Sequence, residues 1–240
     1  MDKIERLTSM IKESGEIVFF GGAGVSTESG IPDFRSSGGV FSKNSSRVSA
    51  EDILHIRYFK KHPAEFYRFY RERLVHRNAV PNAAHKKLAE LERLGKVVSI
   101  VTQNIDGLHT AAGSQNVYEI HGSIHNNYCT ICLEKFGLDF ICGNNDIPKC
   151  KCGGTVRPNV TLYGENLDGD VLEQSIVCIE KADMMIVAGT SLQVYPAAGL
   201  LDYFKGSHLV LINKSETFMD GTADLIIREP VGEVMRQINI

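Results

Sequence analysis

The sequence lacks any apolar run long enough to cross a bilayer, any excess of one charge and any even scatter of cysteines. Each absence removes a class of protein. The 240 residues carry a net charge of −3, with the charges interspersed, so no basic face offers itself to nucleic acid or to an anionic membrane. The opening residues Met1-Asp2-Lys3-Ile4-Glu5-Arg6 are charged and lead into an amphipathic helical pattern rather than an apolar leader. A cytoplasmic protein is expected, with no nucleic-acid and no membrane partner. Of the six cysteines, Cys129, Cys132, Cys142, Cys150 and Cys152 crowd into one segment and Cys178 stands apart. A disulfide-stapled secreted scaffold is shorter and spreads its cysteines.

What the sequence does have is a recurrence of short β-rich apolar runs: Ile17 to Phe20, Val97 to Thr102, Val117 to Ile120, Met184 to Ala188, Leu209 to Ile212 and Leu225 to Ile227. Most are continuous rather than alternating, as strands covered on both faces are. Helical stretches lie between several of them, such as Asn82 to Leu94, which Gly95 closes. The alternation predicts an α/β fold, a doubly wound parallel sheet. Two stretches break the rhythm. From Ser36 to Val80 runs a Gly/Ser-rich loop and then helices, the second with Phe66, Phe69, Tyr70 and Leu74 on one face. From His125 to Arg157 runs the cysteine segment, too short to bury a core of its own. The expected division is 1–35, 81–124 and 158–240 for the sheet domain, 36–80 for a helical insertion and 125–157 for a metal-binding module.

Cys129-Thr130-Ile131-Cys132 and Cys150-Lys151-Cys152 form two close pairs on a linker able to fold back, the pattern of a tetrahedral thiolate site for one structural zinc ion. Four thiolates leave no open position for water or substrate, so no zinc chemistry is expected. The second pair has the tighter bite, which Gly153-Gly154 can relieve. A redox dithiol is the rival reading, and it needs only one pair. Cys142 and Cys178 are expected to be spare buried thiols.

After the first strand comes Phe20-Gly21-Gly22-Ala23-Gly24-Val25-Ser26-Thr27, a glycine turn whose backbone N–H groups suit an anionic ligand, with Ser26 and Thr27 adding hydroxyls. The usual dinucleotide fingerprint has a third glycine where Thr27 stands, so a bare strand-to-helix turn remains the plain alternative. Other strand ends deliver Gln103-Asn104-Ile105-Asp106, His121-Gly122, Gly189-Thr190-Ser191 and Asn213, the positions where ligands sit in open α/β sheets. Each of these alone is compatible with a capped turn.

The motifs Gly22-Ala23-Gly24-Val25-Ser26, Gly30-Ile31-Pro32-Asp33-Phe34-Arg35, Thr102-Gln103-Asn104-Ile105-Asp106, His121-Gly122, the paired cysteines, Tyr163-Gly164-Glu165 and Gly189-Thr190-Ser191-Leu192 occur in an order that resembles the sirtuins, NAD-dependent protein lysine deacylases. The resemblance covers nearly the whole chain. It implies a Rossmann-like domain and a small domain formed by the two insertions, with NAD and an acetyl-lysine protein or peptide meeting between them. By that resemblance Ala23, Gly24, Ser26 and Thr27 line the dinucleotide, Asp33 belongs to its loop, Arg35 stabilises its phosphates and Phe34 covers the reacting ribose. Gln103 and Asn104 hold that ribose, Ile105 and Asp106 grip the nicotinamide amide, and Gly189, Thr190, Ser191, Asn213 and Val231 complete the cofactor site, Val231 through its backbone.

The implied reaction begins with the acyl oxygen displacing nicotinamide through an oxocarbenium-like substitution. His121, with Asn104, is the implied catalytic pair: His121 draws a proton through the ribose hydroxyls so that one attacks the imidate carbon. Nicotinamide, O-acyl-ADP-ribose and free lysine result. Val160, Tyr163, Gly164, Glu165 and Val194 fall in segments that clasp the peptide as an added strand. Two features bear on acyl choice. Thr161 stands where relatives commonly have an aliphatic residue. Sirtuins favouring succinyl-like groups carry a Tyr and an Arg three residues on, whereas here Tyr67 is followed at that spacing by Tyr70, with Arg71 one step off the face. Simple acyl groups, chiefly acetyl, are expected.

Two other readings compete. The same cofactor geometry suits an NAD glycohydrolase or a protein ADP-ribosyltransferase. A binding module would grip nucleic acid through Lys149, Lys151 and Arg157, but the segment lacks an aromatic stacking row.

Overall fold

The computed structural model describes residues 2–41, 48–143 and 146–240. Part of the Gly/Ser-rich loop, residues 42–47, lies outside the described residues. The strands are β1 (Glu16–Gly21), β2 (Val97–Thr102), β3 (Val117–Glu119), β4 (Gly122–Cys129), β5 (Lys135–Phe136), β6 (Val156–Val160), β7 (Met184–Ala188), β8 (His208–Ile212) and β9 (Leu225–Ile227). The helices are α1 (Lys3–Glu13), α2 (Ala50–Ile53), α3 (Ile56–Lys61), α4 (Pro63–Arg73), α5 (Ala83–Arg93), α6 (Leu108–Ala111), α7 (Leu138–Cys142), α8 (Gly169–Lys181) and α9 (Val231–Arg236).

Six strands form one parallel sheet in the order β3-β2-β1-β7-β8-β9. Counted within that sheet the order is the doubly wound one, and it reverses direction between β1 and β7, where such folds place a ligand. The apolar runs are continuous because both faces are covered. Ile17 and Phe19 of β1, Met184 and Ile186 of β7, and Val210 and Ile212 of β8 pack with α1, α5 and α9. The intervening Val18, Phe20, Met185, Val187, Leu209 and Leu211 pack against α8 and the 3-10 helical stretch Ala197–Tyr203. Asn82 caps α5 through the Ala84 N–H at 2.9 Å, and Gly95 ends it with φ +86°.

The remaining elements make a second core. A three-stranded antiparallel sheet, β5-β4-β6, carries the cysteine segment. Cys129, Ile141, Cys150 and Val156 share one apolar cluster with Phe59, Phe66, Tyr67, Phe69 and Tyr70 of α3 and α4. A module too small to bury its own core therefore completes it with the helical insertion. The expected α4 stripe is widened: Tyr67 is fully buried and Leu74, at the helix end, only partly so, because α4 packs against α3 and β6 at once. Cys142 and Cys178, expected to be buried, are only partly so. The junction placed at 124/125 falls inside β4, where the register against β6 shifts between Ser123 and Asn127.

Candidate active site

The turn after β1 meets the end of β7 backbone to backbone. The Gly22 and Gly24 N–H groups donate to the carbonyls of Ala188 (3.0 Å) and Gly189 (2.8 Å). A Cβ on Gly24 would lie 2.7 Å from the Gly189 Cα, and one on Gly189, at φ +60°, 2.5 Å from the Val25 nitrogen. These glycines serve close approach of two strand ends, and their amides are spent on that contact rather than turned to an anion as the sequence suggests. The turn continues as two short 3-10 stretches, Ala23–Val25 and Thr27–Ser29.

Side chains from this turn and from the loop after β2 interlock. Ser26 is buried; its hydroxyl donates to Asp106 Oδ2 (2.7 Å) and accepts from Asn104 Nδ2 (3.0 Å). Asp106 Oδ1 receives the Leu108 N–H at 2.9 Å, at the start of α6. Gln103 Nε2 donates to the Thr190 hydroxyl at 3.0 Å, which ties β2 to the Gly189-Thr190-Ser191 segment. The Thr27 hydroxyl donates to the Gly24 carbonyl at 2.9 Å. Ile105 is pinned through its carbonyl, which accepts the Ile124 N–H at 3.0 Å.

His121, just beyond β3, has its Nδ1 3.0 Å from the Gln103 carbonyl. A carbonyl only accepts, so Nδ1 carries the proton and the lone pair of the neutral ring sits on Nε2. Burial lowers the His121 pKa from its usual value, against the opposing pull of the Gln103 carbonyl. The ring is therefore a neutral base at physiological pH.

The loop after this turn reaches the second core. Asp33 Oδ1 accepts the Ser36 N–H at 2.8 Å, and Phe34 packs on Phe41 at 5.4 Å between ring centres. Arg35 is exposed, with its guanidinium 5.8 Å above the Phe41 ring. Asn213 follows β8 and turns its side chain to the Ser215 carbonyl at 2.9 Å. Val231 opens α9 with its side chain in the core, leaving only its backbone for a ligand.

Of the expected peptide-clasping residues, Val160 is buried at the end of β6, and Tyr163 has both main-chain groups engaged, N–H to Leu54 and carbonyl from Ile56, each at 3.0 Å. Glu165 is held by Arg157 at 2.7 Å. Gly164 is exposed at φ +84°. Val194 gives its carbonyl to the Ala198 N–H at 2.9 Å.

Three supporting residues went unread in the sequence. Asn82, besides capping α5, donates to the Val25 carbonyl and the Ser29 hydroxyl at 2.7 and 3.0 Å. Glu28 accepts the Gly232 N–H at 2.6 Å and so ties the glycine loop to α9. Burial pushes the Glu119 carboxyl up to about 7, with a Ser123 hydrogen bond opposing and the Asp106 charge adding. Only Asn82 announced itself, as a helix start.

The four expected zinc ligands, Cys129, Cys132, Cys150 and Cys152, have all their sulfurs within 4.8 Å of one another. Neighbouring sulfurs lie 3.4, 3.5 and 3.6 Å apart, close to the roughly 3.8 Å edge of a tetrahedron with Zn–S of about 2.3 Å. The Ile131 N–H points at Cys129 Sγ at 3.4 Å, as toward a thiolate. Gly154 is required behind the site, since a Cβ there would meet Cys129 Sγ at 2.4 Å. The donor set fits zinc.

A doubly wound sheet whose strand-end loops carry the interlocked polar cluster of Ser26, Asn104, Asp106 and His121, joined to a four-thiolate module through a shared helical core, is the architecture of a nucleotide-binding α/β protein with a structural metal domain. Its family is also clear. The chain belongs to the Sir2 family, whose model matches residues 22–196. The NAD-dependent protein deacetylase of Clostridium acetobutylicum is 53% identical over 241 residues, covering 99% of this chain and 98% of that one. A Sir2 structure with a deacetylated p53 peptide and 3'-O-acetyl ADP-ribose is similar at TM-score 0.90 and 39% identity, covering 99% of this chain and 97% of that one. A Sir2 structure with p53 peptide and NAD+ is similar at TM-score 0.85 and 41% identity, with the same coverage.

Proposed function

We propose that this chain is an NAD-dependent protein deacetylase, transferring acyl groups, chiefly acetyl, from protein lysines to ADP-ribose and releasing nicotinamide and free lysine. The observation that carries the reading is the neutral, part-buried His121 fixed to the Gln103 carbonyl at 3.0 Å. It stands one residue beyond Ile120, whose N–H is bonded to the Thr102 carbonyl at the end of β2, so the imidazole is anchored to the strand that also delivers Asn104 and Asp106.

In this reading Ala23, Gly24, Ser26, Thr27, Asp33, Phe34, Arg35, Gln103, Thr190, Ser191, Gly189, Asn213 and the Val231 backbone bind NAD as co-substrate. Asp106 and Ile105 hold the nicotinamide carboxamide; the Ser26 hydroxyl and the Leu108 N–H, hydrogen-bonded to the two Asp106 carboxylate oxygens, keep its side chain oriented. Asn104 holds the ribose. His121 Nε2 accepts a proton by way of a ribose hydroxyl, which makes that oxygen the nucleophile toward the activated acyl carbon; the lysine amine then departs and one water opens the resulting cyclic cation to O-acyl-ADP-ribose. The zinc, when bound to the four cysteines, supplies structure and takes no part in these steps.

The domain division proposed with this reading is residues 1–35, 81–124 and 158–240 for the nucleotide domain and 36–80 and 125–157 for the small one, the two meeting within β4 and β6. Among the described residues no helix is long and apolar enough to cross a membrane. The six cysteines are unpaired thiols, which suits a reducing compartment, and we place the protein in the cytoplasm.

The test is whether nicotinamide release requires an acylated peptide. The deacetylase reading expects release only when acetyl-lysine peptide is added. Equal release without peptide supports the glycohydrolase reading instead.

A further inference from the structure

The segment Thr161–Glu165 leaves β6 without regular secondary structure. One guanidinium braces it from the side-chain side, beside main-chain bonds to Leu54, Ile56 and His121. Arg157 Nη1 and Nη2 donate to Oε1 and Oε2 of Glu165 at 2.7 and 2.9 Å, a bidentate pair with the side chains only 12% and 24% exposed. Nη2 also reaches the Val160 carbonyl at 3.1 Å and Nε the Pro158 carbonyl at 3.2 Å. The guanidinium carbon lies 5.4 Å from the Phe59 ring centre and 5.8 Å from that of Tyr128. A single side chain thus engages α3, β4, β6 and the segment.

Glu165 passes the constraint on. Its Oε2 accepts the Leu162 N–H at 3.0 Å, while its own N–H donates to the Leu162 carbonyl at 3.0 Å, closing the turn. Between those residues Tyr163 is bonded on both sides of its main chain to Leu54 and Ile56. Gly164 fits at φ +84° against the His55 ring, where a Cβ would lie 2.7 Å from His55 Cε1. The fork of Arg157 sets direction as well as distance, which a point charge does not.

We propose that Arg157 and Glu165 are positioning residues for acyl-peptide binding. They fix residues 161–165 in the conformation that receives the peptide, and neither touches the reacting atoms. This rests on the deacetylase reading. Glu165, expected from the sequence to contact substrate, acts through the turn it closes. Loss of the fork should weaken peptide binding in ground and transition states alike, raising KM for peptide while leaving kcat and the NAD KM in place.

The experiment compares wild type, Arg157→Lys and Glu165→Gln as full chains. Each is assayed with an acetyl-lysine peptide at varied peptide and varied NAD, with zinc content, melting and amide hydrogen exchange of 161–165 measured alongside. The expected result is a peptide KM raised about tenfold in both variants, with kcat and NAD KM within about threefold and zinc retained. Exchange in 161–165 should quicken while that of β1 and β7 does not. A peptide KM matching wild type overturns the proposal, as does a joint loss of kcat and NAD affinity with a lowered melting temperature. If wild type itself shows no peptide-dependent turnover, the deacetylase reading fails; unaltered exchange in 161–165 then still overturns the structural claim.

Discussion

Ser26 and Asp106, 80 residues apart in sequence, are joined by a 2.7 Å hydrogen bond from hydroxyl to carboxylate. Because the same hydroxyl accepts from Asn104 at 3.0 Å, the turn after β1 and the loop after β2 share one polar network. Buried polar groups in such networks are costly to leave unpaired.

Ser26→Ala removes the hub and leaves Asp106 with only the Leu108 N–H. The NAD KM should rise about tenfold, in keeping with the cost of one lost buried partner, with the fold intact by circular dichroism. An unchanged NAD KM would mean that Asp106 does not face the nucleotide.

His121→Ala should lower kcat by about 10²- to 10⁴-fold, the range of a lost general base, with melting little altered. In wild type, burial holds the His121 pKa below its usual value, so activity should be full at neutral pH. It should fall only as pH drops through the lowered pKa and Nε2 takes up a proton. A pH profile with no acidic limb assignable to His121 contradicts the role.

The loss of stability in acid should come from two other histidines. His85 and His109 lie with ring centres 4.6 Å apart, and His85 Nε2 and both His109 nitrogens are buried without a hydrogen-bond partner. Burial lowers His85 to about 4 against the opposing charge of Asp106, and burial beside His85 lowers His109 well below 6.5. The unfolded chain therefore binds protons first, and stability declines as pH falls from 6.5 toward about 4. Each unit of depression corresponds to about 1.4 kcal/mol. His109→Phe should shallow that decline in a urea titration series; an unchanged slope assigns the acid limb elsewhere.

Cys150→Ser, or removal of metal by a chelator, should act through stability. Losing one thiolate opens a site that also anchors the second core, so melting should drop by about 10 °C or more. Retained zinc with unaltered melting would show a different ligand set.

Acyl choice follows from α4. The Tyr67 hydroxyl donates to the Val156 carbonyl at 2.7 Å, and Arg71 Nε donates to the Ile141 carbonyl at 2.8 Å. Neither is available as the acid-recognising pair of succinyl-removing relatives, so a buried succinyl carboxylate would lie unpaired. The kcat/KM for acetyl should exceed that for succinyl by about tenfold or more on one peptide. Faster succinyl removal reverses the assignment.

Much of this was legible in the residues. Continuous apolar runs gave the six parallel strands to within a residue or two at each end, because burial on both faces demands them. The two close cysteine pairs foretold one cluster, since four thiolates have one compact way to share a metal. What pattern does not carry is the identity of the partner. Gly24 reads as a phosphate-facing amide, yet its missing Cβ answers to Gly189, 165 positions away. Glu165 reads as a substrate contact, yet its charge is matched by Arg157 on β6. Tyr67 escapes the helical stripe because α4 is covered from two sides.

The central claim is that a modified lysine's acyl group passes to ADP-ribose under the guidance of His121. Mass analysis of the pure protein mixed with NAD and an acetyl-lysine peptide tests it most directly. The account predicts O-acetyl-ADP-ribose, nicotinamide and deacetylated peptide in equal amounts, with steady turnover to O-acetyl-ADP-ribose and deacetylated peptide slowed about 10²- to 10⁴-fold in His121→Ala. Plain ADP-ribose and nicotinamide, formed at the same rate whether or not peptide is present, would contradict it.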